Sequence, residues 1–181
     1  LPYTPGAEAI GQVSAVGADV DGLATGDSVI LLGRENWVQK RRVKASEVLK
    51  VDVQSDRILQ YAMLKVNPAT AALMLREYVD LKAGDWVIQD AANSGVGQCL
   101  IRLAKKAGIR TVNVVRRESL VEPLKAYGAD VVLVGLDDLS KRVNAATAGG
   151  HVRLAIDAVA GNTSLRLAEC LADGGMMVNY G

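Results

Sequence analysis

Apolar and polar positions along the chain follow two rhythms. Up to about residue 65 they form short alternating runs broken by turn residues. Ile10-Gly11-Gln12-Val13-Ser14-Ala15-Val16 alternates loosely and stops at Gly17. Asp21-Gly22 and Gly26-Asp27 are turn-like, and Ser28-Val29-Ile30-Leu31-Leu32 is a compact apolar run. This pattern predicts strands over 10–16 and 28–32, with others over 37–43 and 48–51. With many glycines and little helical periodicity, the stretch reads as part of a small β-barrel.

Beyond residue 66 the spacing changes. Asn67-Pro68 predicts a helix start, because Asn can cap and Pro loses no bond at the first helical position; that helix runs to about residue 78. Strands over 86–89, 111–115, 131–134, 154–158 and 176–179 then alternate with helices over 96–107, 119–127, 139–148 and 162–171. Gly108 and Gly128 stand where helices should stop. Strict alternation predicts βαβ units and a doubly wound parallel sheet of Rossmann type, an α/β fold.

Composition narrows the function classes. A chain of 181 residues, half of them apolar, can bury a real core, and its net charge of +1 offers no long-range field for nucleic acid or anionic membrane. No apolar run approaches the roughly 20 residues needed to span a bilayer. Cys99 and Cys170 have neither metal-type nor CxxC spacing, which points to buried free thiols in a reducing compartment. A single histidine, His151, excludes multi-histidine metal sites. Lys40-Arg41-Arg42 with Lys44 could meet the phosphates of an acyl-CoA or an acidic carrier, but reads first as a solvated strand edge.

The strongest chemical signal is Trp86-Val87-Ile88-Gln89-Asp90-Ala91-Ala92-Asn93-Ser94-Gly95-Val96-Gly97. A strand enters a turn of small residues that opens directly into a helix. The main chain at Asn93, Ser94, Gly95 and Val96 can approach a diphosphate, with free N–H groups and the positive helix end facing its charge, and Gly97 allows close helix–strand packing. Two of the three glycines of a GxGxxG fingerprint are Ala and Ser here, so the turn alone is a weak match. The next strand ends in Arg116-Arg117, about where nicotinamide sites that bind NAD place a carboxylate. Two guanidinium groups suit a 2′-phosphate, with Glu118 following too late to replace them, and NADPH is the cofactor expected.

These residues resemble the medium-chain dehydrogenase/reductase superfamily, in its zinc-free branch, and most nearly the mitochondrial-type trans-2-enoyl-thioester reductases. The resemblance rests on Val66-Asn67-Pro68-Ala69-Thr70-Ala71, the Asn93-Ser94-Gly95-Val96-Gly97-Gln98 turn, Asn113-Val114-Val115-Arg116 and Gly174-Gly175-Met176-Met177-Val178-Asn179-Tyr180-Gly181. It implies a partial GroES-like β domain over 1–66 and an NADP-binding Rossmann domain over 67–181. It also implies that Asn67 contacts cofactor or substrate at the nicotinamide end, that Arg116, Arg117 and Glu118 surround the 2′-phosphate, and that Tyr180 and Gly181 border the nicotinamide. Zinc alcohol dehydrogenases of the superfamily have Gly-His-Glu where this chain has Gly6-Ala7-Glu8, so no metal is expected and Glu8 should have a hydrogen-bonding role.

The resemblance further implies NADPH-dependent reduction of the 2,3 double bond of enoyl thioesters carried on CoA or acyl carrier protein, in fatty acid synthesis. The full-length protein would be a homodimer, cytoplasmic if bacterial and in the mitochondrial matrix if eukaryotic. The proton-donating tyrosine of that family falls upstream of residue 1, and a sixth strand and the returning part of the barrel fall after Gly181, so the chain reads as an internal fragment. An NADPH quinone oxidoreductase of the same superfamily and a non-catalytic dinucleotide-binding protein stand as alternatives.

Overall fold

The computed structural model describes residues 3–180. The chain divides into two compact units, Leu1–Ala69 and Thr70–Gly181.

In the amino-terminal unit, β1 (Ile10–Gln12), β2 (Ser28–Leu31) and β3 (Val48–Lys50) form an antiparallel sheet in that order, with Ile30 opposite both Ile10 and Leu49. Val29 and Ile30 are its buried residues, and a short helix, α1 (Ile58–Ala62), follows. The strand expected over 37–43 is absent. Arg41 instead donates to the Arg34 carbonyl and to Asn36 Oδ1 (2.6 Å), and Val38 N–H turns back to the Asn36 carbonyl (2.9 Å). These local bonds hold a loop, so the basic run 40–44 lies on a loop and not on a strand edge. Lys65 Nζ donates to the carbonyls of Ala7 (2.7 Å) and Gly33 (2.6 Å).

The carboxy-terminal unit holds β4 (Trp86–Gln89), β5 (Arg110–Val115), β6 (Val131–Val134), β7 (Val152–Asp157) and β8 (Met176–Asn179) in one parallel sheet, ordered β6-β5-β4-β7-β8. The helices are α2 (Asn67–Arg76), α3 (Gly95–Lys106), α4 (Val121–Tyr127), α5 (Leu139–Thr147) and α6 (Asn162–Ala168). The chain winds outward from β4 in one direction and then returns to lay β7 on its other side. That makes the carboxyl edge between β4 and β7 the switch point where open α/β sheets bind ligands.

Side-chain alternation sorts the core by face. Val87, Leu154, Ile156 and Val178 pack with Ala71, Met74, Leu75, Leu100 and Ala104 from α2 and α3. Trp86, Ile88, Val112, Val114 and Ala155 pack on the opposite face with Leu139, Val143 and Leu167 from α5 and α6. Gly128 closes α4 at φ +107°, a left-handed position that costs glycine least.

Boundaries differ from the sequence expectation at helix ends and in β1, which stops at Gln12 although a strand over 10–16 is expected. Asn67 is the first residue of α2 and not its cap, because its N–H already bonds the Met63 carbonyl (3.4 Å). α6 stops at Ala168 because Cys170 and Leu171 bond three residues back, tightening the last turn. Cys99 and Cys170 are free thiols but half-buried, and burial raises both thiols above their ordinary value. Among the described residues no helix is long and apolar enough to cross a membrane.

Candidate functional site

The turn after β4 is built by residues that leave it room. Ser94 caps α3, its Oγ accepting the Gly97 N–H at 3.1 Å. A Cβ on Gly97 would lie 2.6 Å from the Ala92 carbonyl oxygen, so only glycine lets α3 start this close to the preceding strand. The N–H groups of Gly95 and Val96 have no hydrogen-bond partner among the described residues. No acidic side chain stands in the first turn of this 12-residue helix. Two free donors and a positive helix end with no acidic side chain in its own first turn fit a diphosphate. Asn93 contributes its carbonyl to the Gln98 amide (2.8 Å) and leaves its side chain exposed.

Behind the turn runs a buried polar chain that sequence reasoning missed. Gln89 Nε2 donates to the Gly97 carbonyl (3.1 Å) and to Asn113 Oδ1 (2.7 Å), while Asn113 Nδ2 donates to Thr111 Oγ1 (2.9 Å) and the Val131 carbonyl (3.0 Å). Gln89 and Asn113 are essentially inaccessible, so this amide pair ties the start of α3 to three strands.

Two carboxyl groups lie at the switch point, also unanticipated. Asp90 follows β4 and Asp157 ends β7, both buried. Burial works to raise Asp157, but hydrogen bonds from Ser164, from the Ala160 N–H, from Asp90 and from the Val159 N–H outweigh it and hold this carboxyl well below the usual carboxylate range. Burial pushes Asp90 up to about 7, with Asp157 adding to the rise. Ala91 (φ +40°) and Ala160 (φ +66°), one and three residues beyond the two carboxyls, are both left-handed without being glycine, a form of backbone strain that gathers at binding sites. The signal in the sequence was an aspartate at the end of each of two apolar strands, Gln89-Asp90 and Ile156-Asp157, visible only once those strands are known to pair.

Arg116, Arg117 and Glu118 follow β5 at the same carboxyl edge of the sheet, and all three are exposed with no ion pair among the described residues. Tyr180 lies just past β8. Its N–H donates to the Asp157 carbonyl (3.0 Å), and its phenol, raised by burial, lies beside the Ser94 hydroxyl. The structure therefore brings Ser94, Tyr180, Asp90 and Asp157 together in one unit. Asn67 is half-buried at the start of α2, and Gly181 lies outside the described residues. Glu8 Oε1 is buried and has no hydrogen-bond partner among the described residues. The Ala7 side chain offers a metal no donor atom, and among the described residues no three His, Cys, Asp or Glu side chains are grouped to hold one. A large open cavity lies elsewhere, in the amino-terminal unit, where Ile10, Gln12, Val29, Leu31 and Arg41 line it. The turn remains the better candidate because it presents unpaired donors at a switch point.

Comparison with known proteins gives a consistent picture. Residues 95–181 match the family model described as zinc-binding dehydrogenase. The mitochondrial enoyl-[acyl-carrier-protein] reductase of Rattus norvegicus is 41% identical over 187 residues, an alignment covering 100% of this chain and 50% of the relative. The chain thus spans about half the length of the curated relatives it matches. Among solved structures, a mutant Etr1p in complex with NADP and crotonyl-CoA superposes with a TM-score of 0.84 at 29% identity, covering 97% of this chain and 55% of the other. The Escherichia coli quinone oxidoreductase complexed with NADPH gives a TM-score of 0.82 at 26% identity, with 98% and 55% covered.

Proposed function

The chain carries a zinc-binding dehydrogenase domain of the medium-chain dehydrogenase/reductase superfamily, and from that premise we propose that its full-length protein reduces the 2,3 double bond of trans-2-enoyl thioesters with NADPH. The observation that carries this reading is the Ser94–Gly97 turn, with two unpaired main-chain donors at the head of α3. The relatives' names supply the substrate class.

When bound, NADPH supplies a hydride to C3 of the enoyl thioester, and a proton added at C2 completes the saturated product. The chain's own residues bind and orient. The N–H groups of Gly95 and Val96 hold the diphosphate, Ser94 fixes the first turn of α3, and the buried Gln89 amide keeps that turn against the sheet. Arg116 and Arg117 hold the 2′-phosphate, with Glu118 beside them. Asn67, Tyr180 and Gly181 are assigned to the nicotinamide end, where the Tyr180 phenol lies beside the Ser94 hydroxyl. No residue of this chain is assigned as the proton donor at C2. The substrate is carried on CoA or acyl carrier protein for fatty acid synthesis, and the full-length protein is a homodimer, in the mitochondrial matrix if eukaryotic and in the cytoplasm if bacterial.

A quinone acceptor is the second reading, favoured by the likeness to the quinone oxidoreductase. NADPH consumption by the full-length protein is to be compared with crotonyl-CoA and with a naphthoquinone. Turnover of crotonyl-CoA is expected; consumption with the quinone alone assigns the second reading, and binding of NADPH without turnover of either makes the chain a non-catalytic dinucleotide binder.

A further inference from the structure

Asp90 and Asp157 stand at the carboxyl ends of the two central strands, which pair directly so that Gln89 lies beside Ile156. Neither carboxyl meets a positive charge among the described residues. Asp157 carries donors on both oxygens: Oδ1 accepts the N–H groups of Val159 (3.0 Å) and Ala160 (2.9 Å), and Oδ2 accepts the Asn179 amide (3.0 Å) and the Ser164 hydroxyl. A carboxylate with four donors is stable as an anion.

Asp90 is the reverse. Its Oδ1 accepts the Ala158 N–H at 2.7 Å, but Oδ2 is buried without a partner among the described residues, in a residue only 4% exposed. An ionised oxygen in that position forfeits its hydration and gains nothing. A protonated one becomes a donor, and the Asp157 carboxylate beside it is the acceptor.

We propose that Asp90 is a positioning residue whose carboxyl proton, donated to Asp157, clamps the phosphate-binding turn to the loop after β7, and that loss of this proton weakens dinucleotide binding. The proposal rests on the dinucleotide reading of the turn. The clamp joins the two segments that contain the strained Ala91 and Ala160, and it lies next to the residues that shape the turn, Ser94 and Tyr180.

The charges around the pair leave this proton in control. From α3 the first turn presents Gly95, Val96, Gly97 and Gln98, all neutral, and β5 carries no charged residue between Thr111 and Val115. From α6 the contact is Ser164, because Arg166 is engaged by Glu169, and from β8 it is Asn179, with Tyr180 beyond it. Asp157 and Tyr180 are thus the titratable groups that face Asp90, and neither supplies a positive charge. Burial first, then Asp157, pushes the Asp90 carboxyl up to about 7. Above that pH the link keeps only the Ala158 N–H bond to Oδ1 and loses the shared proton, and a second negative charge appears beneath a turn that holds a diphosphate. Both effects oppose binding.

The test is NADPH affinity of the full-length protein against pH, read by cofactor fluorescence. Between about pH 6 and about pH 8.5 the wild-type Kd is expected to rise about ten-fold relative to Asp90→Asn, whose amide keeps a donor at that position without titrating. Asp90→Asn should bind with a flat ratio across the range, and Asp90→Ala should bind weakly throughout. An Asp90→Asn protein that retains the wild-type pH slope overturns the clamp. A second measurement needs no variant: one isotope-labelled aspartate carboxyl resonance should titrate near neutrality in the wild type, and its absence overturns the proposal even if Asp90→Asn does not fold. Should the wild type bind no NADPH at any pH, the cofactor reading fails, and the resonance alone then decides whether the shared proton exists.

Discussion

Arg116 and Arg117 face solvent with no ion-pair partner among the described residues, so nothing in the unit holds them in place. Guanidinium groups that are spoken for elsewhere make poor phosphate ligands; these two are free to close on a 2′-phosphate in bidentate fashion. Wild-type protein is therefore expected to bind NADPH more than ten-fold tighter than NADH, a difference of about 1.4 kcal/mol or more, and Arg116→Ala should erase most of it. Parallel titrations of the two cofactors give the answer, and an unchanged preference in Arg116→Ala would remove that side chain from the site. Gly97 makes a different demand. Its missing Cβ leaves room for the Ala92 carbonyl, which sits 2.6 Å from where that carbon would be, and backbone cannot rotate away as a side chain can. Gly97→Ala should destabilise the carboxy-terminal unit by about 1–3 kcal/mol, as overpacking does, and weaken NADPH along with it. A thermal midpoint equal to that of wild type would show that the turn relaxes more easily than its geometry suggests.

At the scale of elements, the sheet and its helices were legible because each has a period and a stop. β4, β6 and β8 fall at the expected residues, and α3, α4 and α5 fall within one or two residues of theirs, since apolar runs bounded by Gly108 and Gly128 leave few alternatives. The segment 37–43 deceived because Trp37, Val38 and Val43 are strand-forming residues, yet the Arg41 guanidinium binds local carbonyl groups and no neighbouring strand claims the segment's own. The site was half legible. Small residues before a helix mark a candidate phosphate turn from local sequence, whereas Asp90 and Asp157 lie far apart in the chain and acquire meaning only when β4 and β7 pair. The same holds for Gln89 and Asn113, polar residues inside apolar strands that look like errors until register sets them side by side. That pair yields a prediction belonging to this scale. Asn113→Ala leaves the buried Thr111 hydroxyl and Val131 carbonyl short of a donor and Gln89 short of an acceptor, and should cost about 1–3 kcal/mol of unfolding free energy in denaturant titration. A cost within a few tenths of wild type would mean that water takes over the bonds.

Over the carboxy-terminal unit as a whole, the buried carboxyls pull stability in opposite directions with pH. Asp157 reaches far for one side chain, holding the 159–160 loop, Ser164 in α6 and Asn179 in β8. Its carboxyl is held below 3.8, so the stability it contributes is present above that value and is lost as pH falls through its folded range. Asp85 acts with the same sign, held low by the Lys82 N–H (2.8 Å) and then by Arg153 (3.1 Å). Asp90 runs the other way. Raised from 3.8 to about 7, it binds its proton more tightly folded than unfolded, so its contribution is complete below 3.8 and disappears as pH rises through about 7. The only histidine, His151, is exposed on the loop before β7 and can be removed as His151→Gln without touching the core, which leaves Asp90 as the group to watch near neutrality. The thermal midpoint measured by calorimetry is expected to peak near about pH 4, to fall on the acid side with Asp157, and to decline between about pH 4 and about pH 7 with Asp90 before levelling. Asp157→Asn should lower it across the range and flatten the acid limb, because three segments lose their common acceptor together while the variant no longer titrates there. A midpoint that climbs steadily past neutrality in the His151→Gln background would show that Asp90 is ionised in the folded protein, and with that the buried pair could not share a proton at all.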